Sequence, residues 1–467
     1  MTARILTSLP LLALVAACST TPAYETPKLA SPTPAAWKAL DGWKAADPAD
    51  HVDRGDWWTL LGDPQLDALA QRVKVNNQTI ASAEAAYRQA RALVKEQRAS
   101  LFPAIDLSGS ATKTGGGGAS SSSKGERYQA GIGASWEPDV WGRIRATVNN
   151  AKASAQASAA DLAAAELSAQ GELATNYLGL RQTDAEIALV QATVEGYQRS
   201  LKITQNRYDA GIAPRSDVLQ AQTTLANAQS TLEGLAQTRA TYENAVAVLV
   251  GEPASSFTIA ADPNWSASVP EIPVGLPSTL LERRPDVAAA ERRVAAANAE
   301  IGVARAAYFP TFTLTGDGSS SATKLGDLFA ASTNTWSLGL AAAQTLFDAG
   351  ARKAQVAQAR ASYDAAAADY RQTALEAFQD VENQLTAVRV LERQYALLQT
   401  ASTAADQTEQ MLLNQYRAGQ VAYTDVVTAQ ASALSARREL ATARVSRQAA
   451  AVALVQALGG GWTGVKE

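Results

Sequence analysis

Cysteine and histidine, two residue types that often carry chemistry, occur once each in this 467-residue chain, as Cys18 and His51. A metal site needs several ligands brought together, and histidine-based catalysis needs a placed partner. His51 stands alone in a leader rich in Pro and Asp, so neither chemistry is expected and no cofactor is assigned. No Gly-x-Ser-x-Gly elbow is present to raise a nucleophilic serine. Cys18 is a different case. A single cysteine cannot close an internal disulfide. It follows Arg4, the apolar run Ile5 to Val15 and the small residues Ala16 and Ala17. A run of about ten apolar residues is too short for a bilayer but fits a signal-peptide core. The chemistry expected at Cys18 is therefore lipid attachment after cleavage, rather than burial as a free thiol.

The elements that position everything else come in two copies. Ser100-Leu-Phe-Pro103 recurs as Ala307-Tyr-Phe-Pro310, and Asn206-Arg-Tyr-Asp-Ala-Gly211 recurs as Asn414-Gln-Tyr-Arg-Ala-Gly419. Asp217 then matches Asp425, and Ala221-Gln222 matches Ala429-Gln430. Several matches at a nearly constant offset, 207 to 208 residues, make a duplicated half-molecule, too long a period for a solenoid unit. Each half reads as a helix ended by Phe-Pro, two strands, a very long helix, a Gly turn and a second long helix. The chain divides into a signal segment (1–17), an anchor and Pro/Ala/Ser/Thr-rich tether (18–55), a first repeat (56–253), an equatorial linker (254–285), a second repeat (286–458) and a tail (459–467).

The strands alternate with a period of two. Ile105, Leu107, Gly109 and Ala111 alternate with Asp106, Ser108, Ser110 and Thr112, and Tyr128 to Trp136 behaves the same way. Phe312 and Leu314 alternate with threonines, and Trp336, Leu338 and Leu340 with Thr335, Ser337 and Gly339. One face is apolar with aromatics near the ends, and the other is small and polar. About ten residues per strand suits a tilted membrane strand. The hairpin loops fall at Gly115 to Lys124 and around Ser319 to Asn334. A helical pattern runs from Pro64 to about Ser100. The rods run from Arg143 to Ala210 and from Gly350 to Ala418, roughly 100 Å at 1.5 Å per residue. Leu173, Leu180, Ile187, Val194, Leu201 and Tyr208 repeat every seven residues, as Val381, Val388 and Tyr395 do. Heptads imply packing against a neighbour with left-handed supercoiling. The returning helices, Pro214 to Val250 and Val421 to Leu458, are about half as long. Each needs another helix stacked end to end.

Beyond the signal core no segment approaches ~20 apolar residues, so any membrane crossing must be a closed β-barrel. Four strands cannot close one, because about eight is the minimum. Two copies give a filled barrel; three give twelve strands with a lumen, favoured by the small Ser, Thr and Gly of the polar face. The net charge of -4 gives no basic excess for nucleic acid.

Val15-Ala16-Ala17-Cys18 resembles the lipobox of bacterial lipoproteins, in which the cysteine becomes the acylated first residue. Ser19, rather than aspartate, fits an outer-membrane address by the same resemblance. Gly275-Leu-Pro-Ser-Thr-Leu-Leu-Glu-Arg-Arg-Pro-Asp286, Ala295-Ala-Ala-Asn-Ala-Glu-Ile-Gly302, Ala304 to Pro310 and Trp136-Glu-Pro-Asp-Val-Trp-Gly-Arg143 are similar to the TolC-type outer-membrane efflux channels. The likeness is to their lipoprotein (NodT-like) branch serving RND pumps, and it covers nearly the whole mature chain. It implies an internally duplicated α+β membrane protein: a trimeric twelve-stranded transmembrane β-barrel, four strands per chain, continued by a long periplasmic α-helical barrel. It implies a homotrimer in outer-membrane lipid, with a periplasmic adaptor and an inner-membrane pump as partners.

By that resemblance the turns at Tyr208, Gly211, Tyr416 and Gly419 form the periplasmic tip and touch the adaptor. A turn requires glycine in any case. Asp425 matches an aperture aspartate of the family, and equally fits a solvated acid at a helix N-terminus. Some lipoprotein members carry an acid just after the tip glycine, where this chain has Gln420, Val421 and Ala422. Glu282, Arg283, Arg284 and Asp286 cluster, but Pro285 and Asp286 suit a helix start. The chain is therefore read as a passive efflux conduit in the outer membrane. A pore-free periplasmic coiled-coil scaffold is the alternative, opposed by the four strands. An enzyme is not expected.

Overall fold

The computed structural model describes residues 20–29, 33, 36–38, 54–115, 125–265, 269 and 284–460. Cys18, His51, the signal segment, Glu282, Arg283, most of the Gly275 to Asp286 motif, and the loop from 116 to 124 lie outside the described residues. So does the tail from 461.

The elements are α1 (Pro64–Asn76), α2 (Gln78–Ala99), β1 (Ala104–Thr114), β2 (Gly125–Trp136), α3 (Arg143–Asp209) and α4 (Arg215–Leu249). They continue as α5 (Pro285–Ala306), β3 (Thr311–Ala322), β4 (Asn334–Ala343), α6 (Ala351–Arg417) and α7 (Tyr423–Ala457). The duplication holds residue for residue in the helices. α2 and α5 have 22 residues each, α3 and α6 have 67, and α4 and α7 have 35. No described helix is long and apolar enough to cross a membrane.

Two compact units are present. The first comprises 1–30, 85–159 and 289–372; the second comprises 31–84, 160–288 and 373–467.

The first unit holds a four-stranded antiparallel sheet in the order β1-β2-β3-β4. Its register puts Leu107 opposite Ile132, Trp136 opposite Leu314, and Leu314 opposite Leu340, all on one face. That face has no core beneath it. Leu107 is 86% exposed, and Trp336 and Leu338 are each 80% exposed. Burial of such side chains is worth about 1.5–3 kcal/mol each, so the face requires an apolar cover. β3 reaches four residues into the segment Ser319 to Asn334 that sequence composition assigns to a loop. Ser319, Ser320 and Ser321 pair with Gly131, Ala130 and Gln129 instead. Two short 3₁₀ turns, Leu325–Asp327 and Ala331–Thr333, complete that hairpin.

In the second unit the expected continuous helix from Pro64 breaks at Asn77, which has extended backbone (φ -67°, ψ 124°). Asn77 Oδ1 accepts from the backbone N–H of Thr79 and Ile80 at 2.9 and 3.1 Å, an N-cap for α2. Its Nδ2 donates to the carbonyl of Leu249 at 2.9 Å, the last residue of α4. The second repeat makes the corresponding joint with Arg284, whose Nη1 lies 3.4 Å from the Ala457 carbonyl at the end of α7. Each returning helix thus meets, end to end, the start of an earlier helix of its own repeat, α4 that of α2 and α7 that of α5, as its length requires. Arg284 also pairs with Asp286 and Asp380, which gives Arg284 and Asp286 of that cluster a helix-start role.

The core of the second unit follows the heptad. Leu173, Leu180, Val194 and Val381 are buried. Ile187 packs with Val190, Val194, Tyr197, Ala228 and Leu235. A buried polar network fastens the linker. Asp184 accepts from Arg181 at 2.8 Å and Arg239 at 2.7 Å, and these arginines donate to the carbonyls of Ala260 and Ile259. Asp63 caps α1 and accepts from Tyr177 at 2.7 Å and Trp265 at 2.6 Å.

Candidate functional site

The polar face of the sheet is the first candidate surface. Cross-strand partners share a face, so the register reads out its rows. One row runs Asp106, Gly133, Asp317, Ser337, and the next runs Ser108, Gly131, Ser319, Thr335. Two rows beyond that, Arg127 stands opposite Thr112, and its guanidinium lies 3.5 Å from the Ser321 hydroxyl. The first row, with Ser108, Gly131 and Ser319 of the next, lines a concavity of about 570 Å³. Glycine keeps it open: a Cβ at Gly133 would stand 3.2 Å from an Asp317 carboxylate oxygen. Two carboxylates therefore flank a side-chain-free position in one row. The sequence shows Asp106 only as one polar alternate, and Asp317 lies past the third strand as periodicity delimits it. Only the register unites them.

The tip turns are the second surface, within the second unit. Both helices end in the same motif. Gly211 has φ +73° and Gly419 φ +74°, the left-handed conformation glycine adopts without strain. Ile212 N donates to Arg207 O and Gly211 N to Tyr208 O, both at 2.8 Å. Gln420 N donates to Gln415 O and Gly419 N to Tyr416 O, both at 2.9 Å. This is the Schellman arrangement at each tip.

The matched side chains have opposite fates. Tyr208 is 40% exposed and Tyr416 is 2% exposed. Tyr416 packs with Ala221, Tyr423 and Val426. Its ring lies 5.2 Å from that of Tyr423 and 4.7 Å beneath the Arg207 guanidinium, which also donates to its carbonyl. Burial pushes the Tyr423 phenol up to about 12. An expected surface contact through the Tyr416 side chain is thus corrected: that side chain locks the second tip turn against the first. Arg207, which sequence reasoning missed, is the other half of the lock.

Asp425 is exposed, and its Oδ2 accepts from the Ala422 backbone N–H at 3.2 Å, closing the first turn of α7. At the matching place before α4 stands Pro214, which has no N–H to offer Asp217. Among the described residues no group of acids, His and Cys could hold a metal.

The family described as "Outer membrane efflux protein" matches residues 69–252 and 276–460, one stretch per repeat. The pyoverdine export outer membrane protein OpmQ of Pseudomonas aeruginosa is 32% identical over 458 residues, covering 96% of this chain and 95% of that protein. The toluene efflux pump outer membrane protein TtgC of Pseudomonas putida is 30% identical over 466 residues, covering 96% and 94%. The solved outer-membrane channel OprN superposes with a TM-score of 0.87 at 30% identity, covering 96% of this chain and all of that one.

Proposed function

Because this chain belongs to the outer membrane efflux protein family, we propose that it is the outer-membrane conduit of a tripartite efflux pump, passing small toxic molecules from periplasm to exterior. The observation that carries this reading is a sheet with an uncovered apolar face, a glycine-opened polar face and two unpaired edges. In lipid an unpaired edge costs several kcal/mol per backbone group. A second copy supplies the remedy, with β4 of one chain pairing β1 of the next, a head-to-tail contact that closes as a ring. Three copies give twelve strands and leave a water-filled lumen lined by the Asp106 and Asp317 row.

The tip turns serve as the periplasmic entrance, presenting Tyr208, Gly211 and Gly419 to an adaptor protein, with an inner-membrane pump beneath. Asp425 closes the first turn of α7 and contributes negative charge at that entrance. Acylation of Cys18 ties the N-terminus to the outer membrane. The relatives' names, pyoverdine export and toluene efflux, support a cargo of small organic molecules. Reconstitution into planar bilayers tests the reading: stepwise single-channel currents are expected, and their absence from correctly assembled protein would leave only a scaffold.

A further inference from the structure

The stretch Ala295 to Gly302 of α5 has no part in the strands or the tip, yet it has an occupant. Residues 20–22 lie against it, and the segment continues past Glu291 of α5 to Arg371 of α6, all within the first unit. The Thr20 hydroxyl lies 3.0 Å from the Gly302 carbonyl and 3.2 Å from that of Trp141. Asn298 Nδ2 donates to the Pro22 carbonyl at 3.0 Å. The Tyr24 hydroxyl donates to the Glu291 carboxylate, and Arg371 Nε donates to the Lys28 carbonyl at 2.9 Å.

The partners step backwards along α5, from 302 to 298 to 291, as the segment advances. Eleven helical residues cover roughly 16 Å. Four extended residues, Thr20 to Tyr24, cover roughly 14 Å. The segment is therefore extended and antiparallel to the helix.

Two features of α5 make sense only with this occupant. Glycine is a poor helix residue, and nothing in helix geometry asks for one at 302. A Cβ there would stand 2.1 Å from the Thr21 hydroxyl and 2.9 Å from the Thr21 Cα, so Gly302 is a notch cut for Thr21. Asn298 is a buried amide on the same helix, and the Pro22 carbonyl satisfies it. The Thr20 end of the segment is pinned where a strand begins. Trp141 stacks on Phe309 at 4.7 Å and donates to the Pro310 carbonyl at 2.7 Å, beside Thr311, the first residue of β3.

We propose that the Asn298–Gly302 face of α5 is a seat for the chain's own residues 20–28, which ties the acylated N-terminus to the start of β3. Cys18 precedes Thr20 by two residues, which reach no more than ~7 Å. The acyl chain then enters the bilayer at the level where β3 begins. This second half rests on acylation of Cys18; the seat does not.

The test uses the full chain, purified from membranes grown with labelled palmitate, and limited trypsin cleavage after Lys28. The wild-type protein should keep its label through digestion. Gly302→Leu and Asn298→Ala should release a short acyl-peptide at least about ten-fold faster, because cleavage follows local opening. Gly302→Ala should also expose the site, because its Cβ would meet the Thr21 backbone as well as its side chain, while trypsin sites elsewhere in the folded chain keep wild-type protection, which separates a lost seat from a misfolded chain. Equal release from wild type and both Gly302→Leu and Gly302→Ala would overturn the seat. A protected Lys28 in protein without palmitate would keep the seat and overturn the anchor half.

Discussion

Replacing both Asp106 and Asp317 by Asn should abolish most of the cation preference of the channel at low salt. The two carboxylates share a row across Gly133, two strands apart, so at ~4.8 Å spacing and ~40° tilt three copies place six in a band about 6 Å deep, a double ring. Twelve strands ~4.8 Å apart, tilted by ~40°, close at a backbone radius of about 12 Å, leaving the carboxylates about 10 Å from the axis. Six charges at that distance in water give about 2.5 kcal/mol at the axis before screening. A Debye length of ~8 Å at physiological salt leaves about 0.7 kcal/mol, and ~30 Å at 0.01 M leaves about 1.8 kcal/mol. Cations are then enriched roughly three-fold and roughly twenty-fold respectively. The Arg127 ring lies six residues away along β2, so it opposes this locally without cancelling it. Reversal potentials across a salt gradient in planar bilayers measure the preference directly. The double variant should lose most of it, and each single variant about half. A double variant with wild-type selectivity at 0.01 M salt would refute the ring, and with it the register-based account of the lumen.

Asp184→Ala should destabilise the second unit by about 3–5 kcal/mol in denaturant titrations, because it strands Arg181, whose side chain is 2% exposed, without its partner. Asp425→Ala removes the acceptor of the Ala422 N–H and should cost about 1 kcal/mol, whereas Asp217→Ala, which follows Pro214, should cost only the helix-dipole part, about 0.3–1 kcal/mol; hydrogen exchange at the two tips measures both. Burial pushes the Asp63 carboxyl up, but hydrogen bonds from Trp265, Tyr177 and the α1 backbone outweigh it and hold the group below the ordinary carboxylate range. Its folded value is depressed, so its stabilisation is present above ~4 and fades as pH falls through the folded value; Asp63→Asn should flatten melting temperature against pH in that acidic window. Cys18→Ser should block palmitate incorporation, and continued labelling would contradict acylation there.

The duplication, the strand faces and the helix order were legible from the sequence, because each rests on spacing along the chain. What escaped depends on contacts between distant segments. Asn77 sits in an unbroken helical pattern, and its break becomes visible only beside the Leu249 carbonyl that it serves. Gly316-Asp-Gly-Ser-Ser-Ser321 has the composition of a turn, yet pairing with β2 makes it strand. Asp106 and Asp317 are not equivalent positions of the two repeats, so no repeat comparison unites them. Tyr208 and Tyr416 share a motif, and only the packing of one repeat on the other decides that the first faces out and the second in.

Equal rods make length a shared variable. α3 and α6 have 67 residues each, and their tip turns are locked by Arg207 and Tyr416. One residue inserted into α3 alone advances its turn ~1.5 Å and swings every later side chain ~100° about the axis. A seven-residue insertion keeps the seam but carries that turn ~10 Å past its counterpart. The tip can move only when both repeats gain or lose the same heptads together. Two coincident changes are far rarer than one, so lineages of such chains should diversify in loops, linker and lumen while the rods keep their count. Anyone wishing to engineer a longer channel would have to write the extension twice.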